Sequence, residues 1–236
     1  MLRALKHLPL ARQWVWGIGL LALSLGGCQP DLATRALSPL EPGLTVAGLS
    51  QVTPQDLALP PQIPRPEPVT VWEHLQQADE QLYVVLLRHA IAPGTGDPVG
   101  FRLGDCATQR NLSAAGQDQA RRIGAAFRQR QISVVQVLSS SWCRSLDTAR
   151  LMDLGPVEPF APIDSFFRDR GTEAQQTAQV QDYLRRQPNR GVIVMVTHQV
   201  NITALTGVVP GSGQAVVVTL DEGGNLAQVG LLEAGE

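Results

Sequence analysis

A three-layer α/β sandwich with a largely parallel central sheet is predicted by two observations. Apolar runs of strand length at 83–87, 134–138 and 191–196 alternate with segments whose apolar residues recur at helical spacing. Each run also gives way to polar or titratable residues: Arg88-His89 after the first, the Ser139-Ser140 segment leading to Arg144 after the second, Thr197-His198 after the third. In open α/β sheets, ligands bind outside the carboxyl ends of the strands, and imidazoles beside guanidiniums at such an edge can attack and hold a phosphoryl group.

The elements follow in order from about Val69. A short lead-in helix is expected over 72–78, then the first strand and a long irregular loop over 91–112. Loops of that length are usually functional or disordered. Ser113 can cap a helix running to about Arg130, with Ala120, Ile123, Ala126 and Phe127 on one stripe. A strand at 134–138 and a helix at 143–152 come next. A weaker strand near 157–160 leads into the Phe166-Phe167-Arg168-Asp169-Arg170 loop, and a helix at 172–187 ends before Pro188. The strand at 191–196 precedes a short helix. Two final strands, about 214–220 and 226–232, flank a turn over Glu222-Gly223-Gly224-Asn225.

Residues 1–27 read as a targeting segment. Arg3, Lys6 and Arg12 form a basic start, and 15–25 is an apolar run too short for a membrane span. Leu25-Gly26-Gly27-Cys28 resembles the lipobox of bacterial lipoproteins, which implies lipid on Cys28 and an exported chain anchored to a bacterial membrane, on the periplasmic side or at the cell surface. Nine of the 17 prolines fall in 29–69, so 28–68 reads as an extended tether. Residues 69–236 form the folded domain. Two cysteines remain, Cys106 and Cys143. In an exported chain they are a disulfide candidate joining the 91–112 loop to the Arg144 loop; two half-buried thiols are the alternative.

Composition excludes several chemistries. Loss of the three basic residues before Cys28 leaves 16 basic against 21 acidic residues, a balance of −5, and no basic cluster suggests nucleic-acid binding. Lys6 is the only lysine, so the mature chain has neither a Schiff-base lysine nor that of a P-loop. Any anion site must use arginine, histidine or backbone N–H groups. A cysteine phosphatase loop needs Cys-x5-Arg, but position 149 is alanine and the arginine is at 150. No Cys/His cluster has metal-ligand spacing, so neither metal nor cofactor is expected.

Arg88-His89, the Ser-Ser-x-x-x-Arg144-Ser-x-x-Thr-Ala element and Thr197-His198 together resemble the histidine phosphatase, or phosphoglycerate mutase-like, superfamily. Asn111-Leu112-Ser113 with Gly116 and Gln119 is similar to that family's first helix start, and the likeness covers about residues 80–220. It implies the phosphoglycerate mutase-like fold and a phosphatase that hydrolyses a small phosphomonoester. His89 would be the nucleophile and pass through a phosphohistidine. Its attacking nitrogen must be unprotonated, with the other nitrogen donating to a fixed acceptor such as a backbone carbonyl. Arg88, Arg144 and His198 would hold the phosphoryl oxygens, and Arg102 and Arg110 could meet a second anionic group.

Two departures stand out. Ala90 replaces the glycine that usually follows Arg-His, so the turn there should avoid positive φ. The proton donor for the leaving group is not marked. The resemblance favours Asp169, in the loop after the third strand; Asp105 comes next, since a Cys106 disulfide would pin its loop near the pocket, and Asp164 and Asp97 are the other candidates. The missing acid leaves an alternative reading, a non-catalytic anion- or phosphosugar-binding lipoprotein of the same fold.

Overall fold

The computed structural model describes residues 69–233. The expectations for the leader, Cys28 and the tether lie outside them. The order is α1 (Val71–Gln76), β1 (Leu82–Arg88), α2 (Ala114–Gln129), β2 (Val134–Ser139), α3 (Cys143–Met152), β3 (Val157–Pro159), α4 (Glu173–Arg185), β4 (Gly191–Thr197), α5 (Gln199–Thr206), β5 (Gln214–Leu220) and β6 (Leu226–Glu233). Among these, no helix is long and apolar enough to cross a membrane.

The six strands form one sheet in the order β3-β2-β4-β1-β5-β6. β3, β2, β4 and β1 run parallel, while β5 is antiparallel to both β1 and β6. The central strands are apolar on both sides because both faces of the sheet are covered. Tyr83, Val85 and Leu87 of β1, with Val192, Val194 and Val196 of β4, pack on one face against Leu75 of α1, Ile123 and Phe127 of α2, and Ala149 and Met152 of α3. Leu82, Val84 and Leu86, with Ile193 and Met195, meet Val180 and Leu184 of α4 and Ile202 of α5 on the other. This is the expected three-layer α/β/α sandwich.

Helix α2 starts where Ser113 Oγ accepts the Gly116 N–H at 3.0 Å, a side-chain cap on an otherwise unpaired donor. Two glycines let it lie against backbone. A Cβ on Gly116 would stand 2.0 Å from the Ile91 carbonyl oxygen, and one on Gly124 would stand 1.8 Å from that of Met152. The helix is thus pressed on the chain just beyond β1 at one point and on the end of α3 at another.

The segment between β1 and α2 is not featureless. It contains a 3-10 turn at Cys106–Thr108, capped by Asp105, and a disulfide from Cys106 to Cys143 with Cα atoms 5.7 Å apart. Cys143 N–H also donates to Gln109 Oε1 at 3.0 Å, so the loop and the first turn of α3 are joined twice.

Candidate active site

Register brings the polar strand ends to one edge. Arg88 pairs with Thr197 across β1 and β4, and Ser139 pairs with Val196 across β2 and β4. Just past those ends, His89 N–H donates to the Thr197 carbonyl and Ser140 N–H to the Val196 carbonyl, both at 2.9 Å. His89, Ser140 and His198 are thereby set side by side, all buried. Arg144 enters from the first turn of α3. Ala90 lies outside the positive-φ region; its N–H donates to Thr148 Oγ1 at 3.0 Å, and Thr148 Oγ1 donates to the Arg144 carbonyl at 2.7 Å. One threonine thus couples the strand end carrying His89 to the helix carrying Arg144.

Arg144 is a hub. Its Nε donates to His89 Nε2 at 3.1 Å, its Nη1 to Asp97 Oδ1 at 3.0 Å, and its Nη2 faces His198 Nδ1 at 3.3 Å. A guanidinium can only donate, which fixes both imidazole tautomers. His89 Nε2 carries a lone pair, and Nδ1–H donates to the Ala90 carbonyl at 2.8 Å. His198 Nδ1 is likewise an acceptor, so Nε2–H donates to Ser140 Oγ at 2.8 Å. Behind them, Asp164 accepts from Ser141 N–H at 2.6 Å and Ser141 Oγ at 3.0 Å.

Burial pushes the His89 imidazole down to about 3, against the raising effect of its bond to the Ala90 carbonyl; Arg144, Arg110 and Arg88 push the same way as burial. His198 is driven well below its ordinary value, first by burial and then by Arg144 and His89. Both rings are neutral at physiological pH. Burial raises Asp164. The cavity holds about 100 Å³, walled by Arg88, His89, Arg110, Arg144 and His198, with Gly94 to Asp97, Ser165, Phe167, Gln199 and Val200 completing it. Three guanidiniums and one carboxylate leave its wall with two net positive charges. Arg88 Nη1 is tied to the Pro210 carbonyl at 2.9 Å, whereas its buried Nε has no partner among the described residues.

Of the residues singled out in the sequence, Arg88, His89, Arg110, Arg144 and His198 meet in this cavity. Arg110 serves the loop as well as the wall: its Nε donates to the Gly96 carbonyl at 3.0 Å and its Nη1 to the Ala92 carbonyl. Arg102 lies outside. Its exposed side chain pairs with Asp105 at 2.7 Å, because the loop turns the neighbouring Phe101 inward to stack on Trp142. Asp169 also lies outside, exposed, with Oδ1 capping Gly171 N–H at 2.9 Å ahead of α4. The carboxylate in the wall is Asp97, a candidate that the sequence placed behind Asp169 and Asp105. Trp142, which the sequence did not mark, donates from Nε1 to Asp97 Oδ1 at 3.1 Å. Among the described residues no group of three or more His, Cys, Asp or Glu could hold a metal ion.

No protein-family model and no curated protein matches the sequence. Solved structures do match. One is a candidate alpha-ribazole-5'-P phosphatase from Escherichia coli, 16% identical, with a TM-score of 0.50 and coverage of 66% of this chain and 98% of that one. Another is a phosphoserine phosphatase from Entamoeba histolytica in complex with 3-phosphoglyceric acid, 13% identical, with a TM-score of 0.50 and coverage of 66% of this chain and all of the other. The described chain has their fold, the phosphoglycerate mutase-like α/β fold.

Proposed function

We propose that this chain, built on the phosphoglycerate mutase-like fold, is a phosphomonoester hydrolase that works through a phosphohistidine on His89. The observation that carries the reading is the state of His89: a neutral imidazole whose Nδ1–H is tied to the Ala90 carbonyl, leaving Nε2 as a lone-pair donor on the wall of a cationic cavity. A phosphomonoester carries about two negative charges at neutral pH, which matches the net charge of the wall. The two similar structures, described as phosphatases, point the same way.

In this reading, Arg88, Arg110 and Arg144 bind the phosphoryl oxygens, and neutral His198, its Nε2–H given to Ser140 and its Nδ1 facing Arg144 Nη2, orients the Arg144 fork. Preorganised donors of this kind stabilise charge in the transition state without reorganising. His89 Nε2 attacks phosphorus, the ester oxygen leaves, and water later breaks the N–P bond. The chain is exported and held to a bacterial membrane by lipid on Cys28.

The test uses the full chain with p-nitrophenyl phosphate. His89→Ala should abolish turnover, and a rapid quench of the unaltered chain should trap acid-labile phosphate on protein. Near-full activity of His89→Ala overturns the mechanism; tight phosphate binding without turnover points to the binding protein instead. Metabolic labelling with a fatty-acid analogue should mark the chain and not its Cys28→Ser variant; equal labelling of both removes the anchor.

A further inference from the structure

We propose that Asp97 is the proton donor to the leaving group, and that the enzyme therefore acts on phosphate esters of aliphatic alcohols. This rests on the hydrolase reading above. An alkoxide leaves far too slowly without a proton, whereas the phenolates of nitrated aryl phosphates depart unaided. An acid in the pocket therefore separates these substrate classes.

The geometry supports Asp97 from several sides. Its side chain and that of Arg144 are each only 4% exposed, and both line the cavity with His89. Asp97 and His89 bear on Nη1 and Nε of one guanidinium, so donor and nucleophile stand around the same oxygen-binding group. The two carboxylate oxygens are differently engaged. Oδ1 accepts from both Trp142 Nε1 and Arg144 Nη1, while Oδ2 takes part in no hydrogen bond among the described residues. Oδ2 is the atom available to carry and release a proton.

The support around Asp97 fits that duty. Arg168 Nη2 donates to its carbonyl at 2.7 Å and to that of Pro98 at 3.2 Å. Arg110 holds the preceding Gly96. Phe101 stacks on Trp142 with ring centroids 5.3 Å apart, and the Cys106–Cys143 bond ties the same loop to α3. Reactive groups need this kind of fixed placement to be effective.

The steps balance. In the first, an ester bound as its monoanion passes its proton to Oδ2 of the Asp97 carboxylate; the N–P bond then forms from the His89 Nε2 lone pair, the P–O ester bond breaks, and its electron pair takes that proton from Asp97 Oδ2 to give the alcohol. In the second, Asp97 carboxylate removes a proton from water as its oxygen bonds to phosphorus. The N–P electrons return to Nε2, and the proton now on Asp97 leaves with the phosphate product, restoring the carboxylate paired with Arg144. One carboxyl group serves as acid and then as base.

The experiment compares kcat/KM of the full chain and its Asp97→Asn variant on β-glycerol phosphate and 2,4-dinitrophenyl phosphate. The variant should lose about 100-fold or more on the first, in the range of positioned proton transfer, and less than about 3-fold on the second. Retained turnover of the second also shows an intact fold and site. Equal losses on both, or no loss on either, overturn the assignment. Across substituted phenyl phosphates the unaltered chain should show a shallow dependence on phenol acidity; a dependence as steep as the variant's overturns it too. If the unaltered chain hydrolyses none of these esters, the hydrolase reading fails. If it hydrolyses dinitrophenyl phosphate in a His89-dependent way but β-glycerol phosphate no faster than Asp97→Asn does, only the acid role fails.

Discussion

Asp97 and Asp169 sit in the two loops that flank the cavity, and the chain uses them in opposite ways. Asp97 is buried against Arg144 and shares its Oδ1 with Trp142. Asp169 is exposed and closes a short local turn through Gly171 and Thr172. The first loop is braced from within by Arg110 and drawn inward by long-range partners: Arg168, Trp142 and a disulfide. Among the described residues the second carboxylate bonds only the Gly171 N–H, two residues away. What makes a carboxylate part of a site is convergence from distant chain segments, not the loop it belongs to or its distance from a strand end.

Acid should separate the two regions most. Both imidazoles beside the Asp97 loop are neutral when folded, whereas in the unfolded chain each takes a proton as pH falls through about 6.5. The folded His89 resists until about 3, so the unfolded state binds more protons in that window. Stability present above pH 6.5 is therefore lost as pH falls toward 3, by up to about 1.4 kcal/mol per pH unit for each ring. Thermal unfolding from pH 7 to 4 should show the loss. An Asp169→Asn variant should show the same slope, and a His89→Asn variant a shallower one.

Breaking the buried pair comes next. Asp97→Ala should destabilise by about 3–5 kcal/mol in anion-free buffer, because it strands Arg144 among like charges. Inorganic phosphate should recover part of that loss, as a ligand bound only by the folded state must. Denaturant titration with and without phosphate reads both; a loss below about 1 kcal/mol would make Asp97 no more anchored than Asp169. Opening the disulfide by Cys106→Ser should cost about 2–4 kcal/mol and lower kcat/KM, since the Asp97 loop loses its covalent tie to α3. An unchanged kcat/KM would mean that the non-covalent contacts alone hold the loop. The smallest effect is on the other side: Asp169→Ala removes a cap and should cost at most about 1 kcal/mol, with kcat/KM within a factor of about 2 of the unaltered chain.

The two loops also mark where the sequence was readable. Periodicity located the parallel strands because Val84, Val194 and their neighbours are apolar on both faces, and the residues past their ends, His89 and His198, came with them. Ser113 announced α2 through its own chemistry. The direction of β5 was not readable, since Ala215 to Val218 form an apolar run that suits a buried strand of either sense. Asp97 was not readable as a wall residue for another reason. It has no periodic neighbours, and its placement depends on Trp142 and Arg168, 45 and 71 residues away. Asp169 ranked first from its loop alone, but a short-range cap and a site carboxylate look the same in one dimension.

Helix α2 has a consequence that reaches beyond its own packing. None of its residues lines the cavity, yet Gly116 bears on Ile91, two residues past the nucleophile, and Gly124 bears on Met152, at the far end of the helix that carries Arg144. It works as a gauge block: two bare spots, eight residues apart on one rod, set the spacing between the attacking atom and the cation that steers it. A methyl group on either glycine would thicken the block at one end and misalign the chemistry without touching a reacting group.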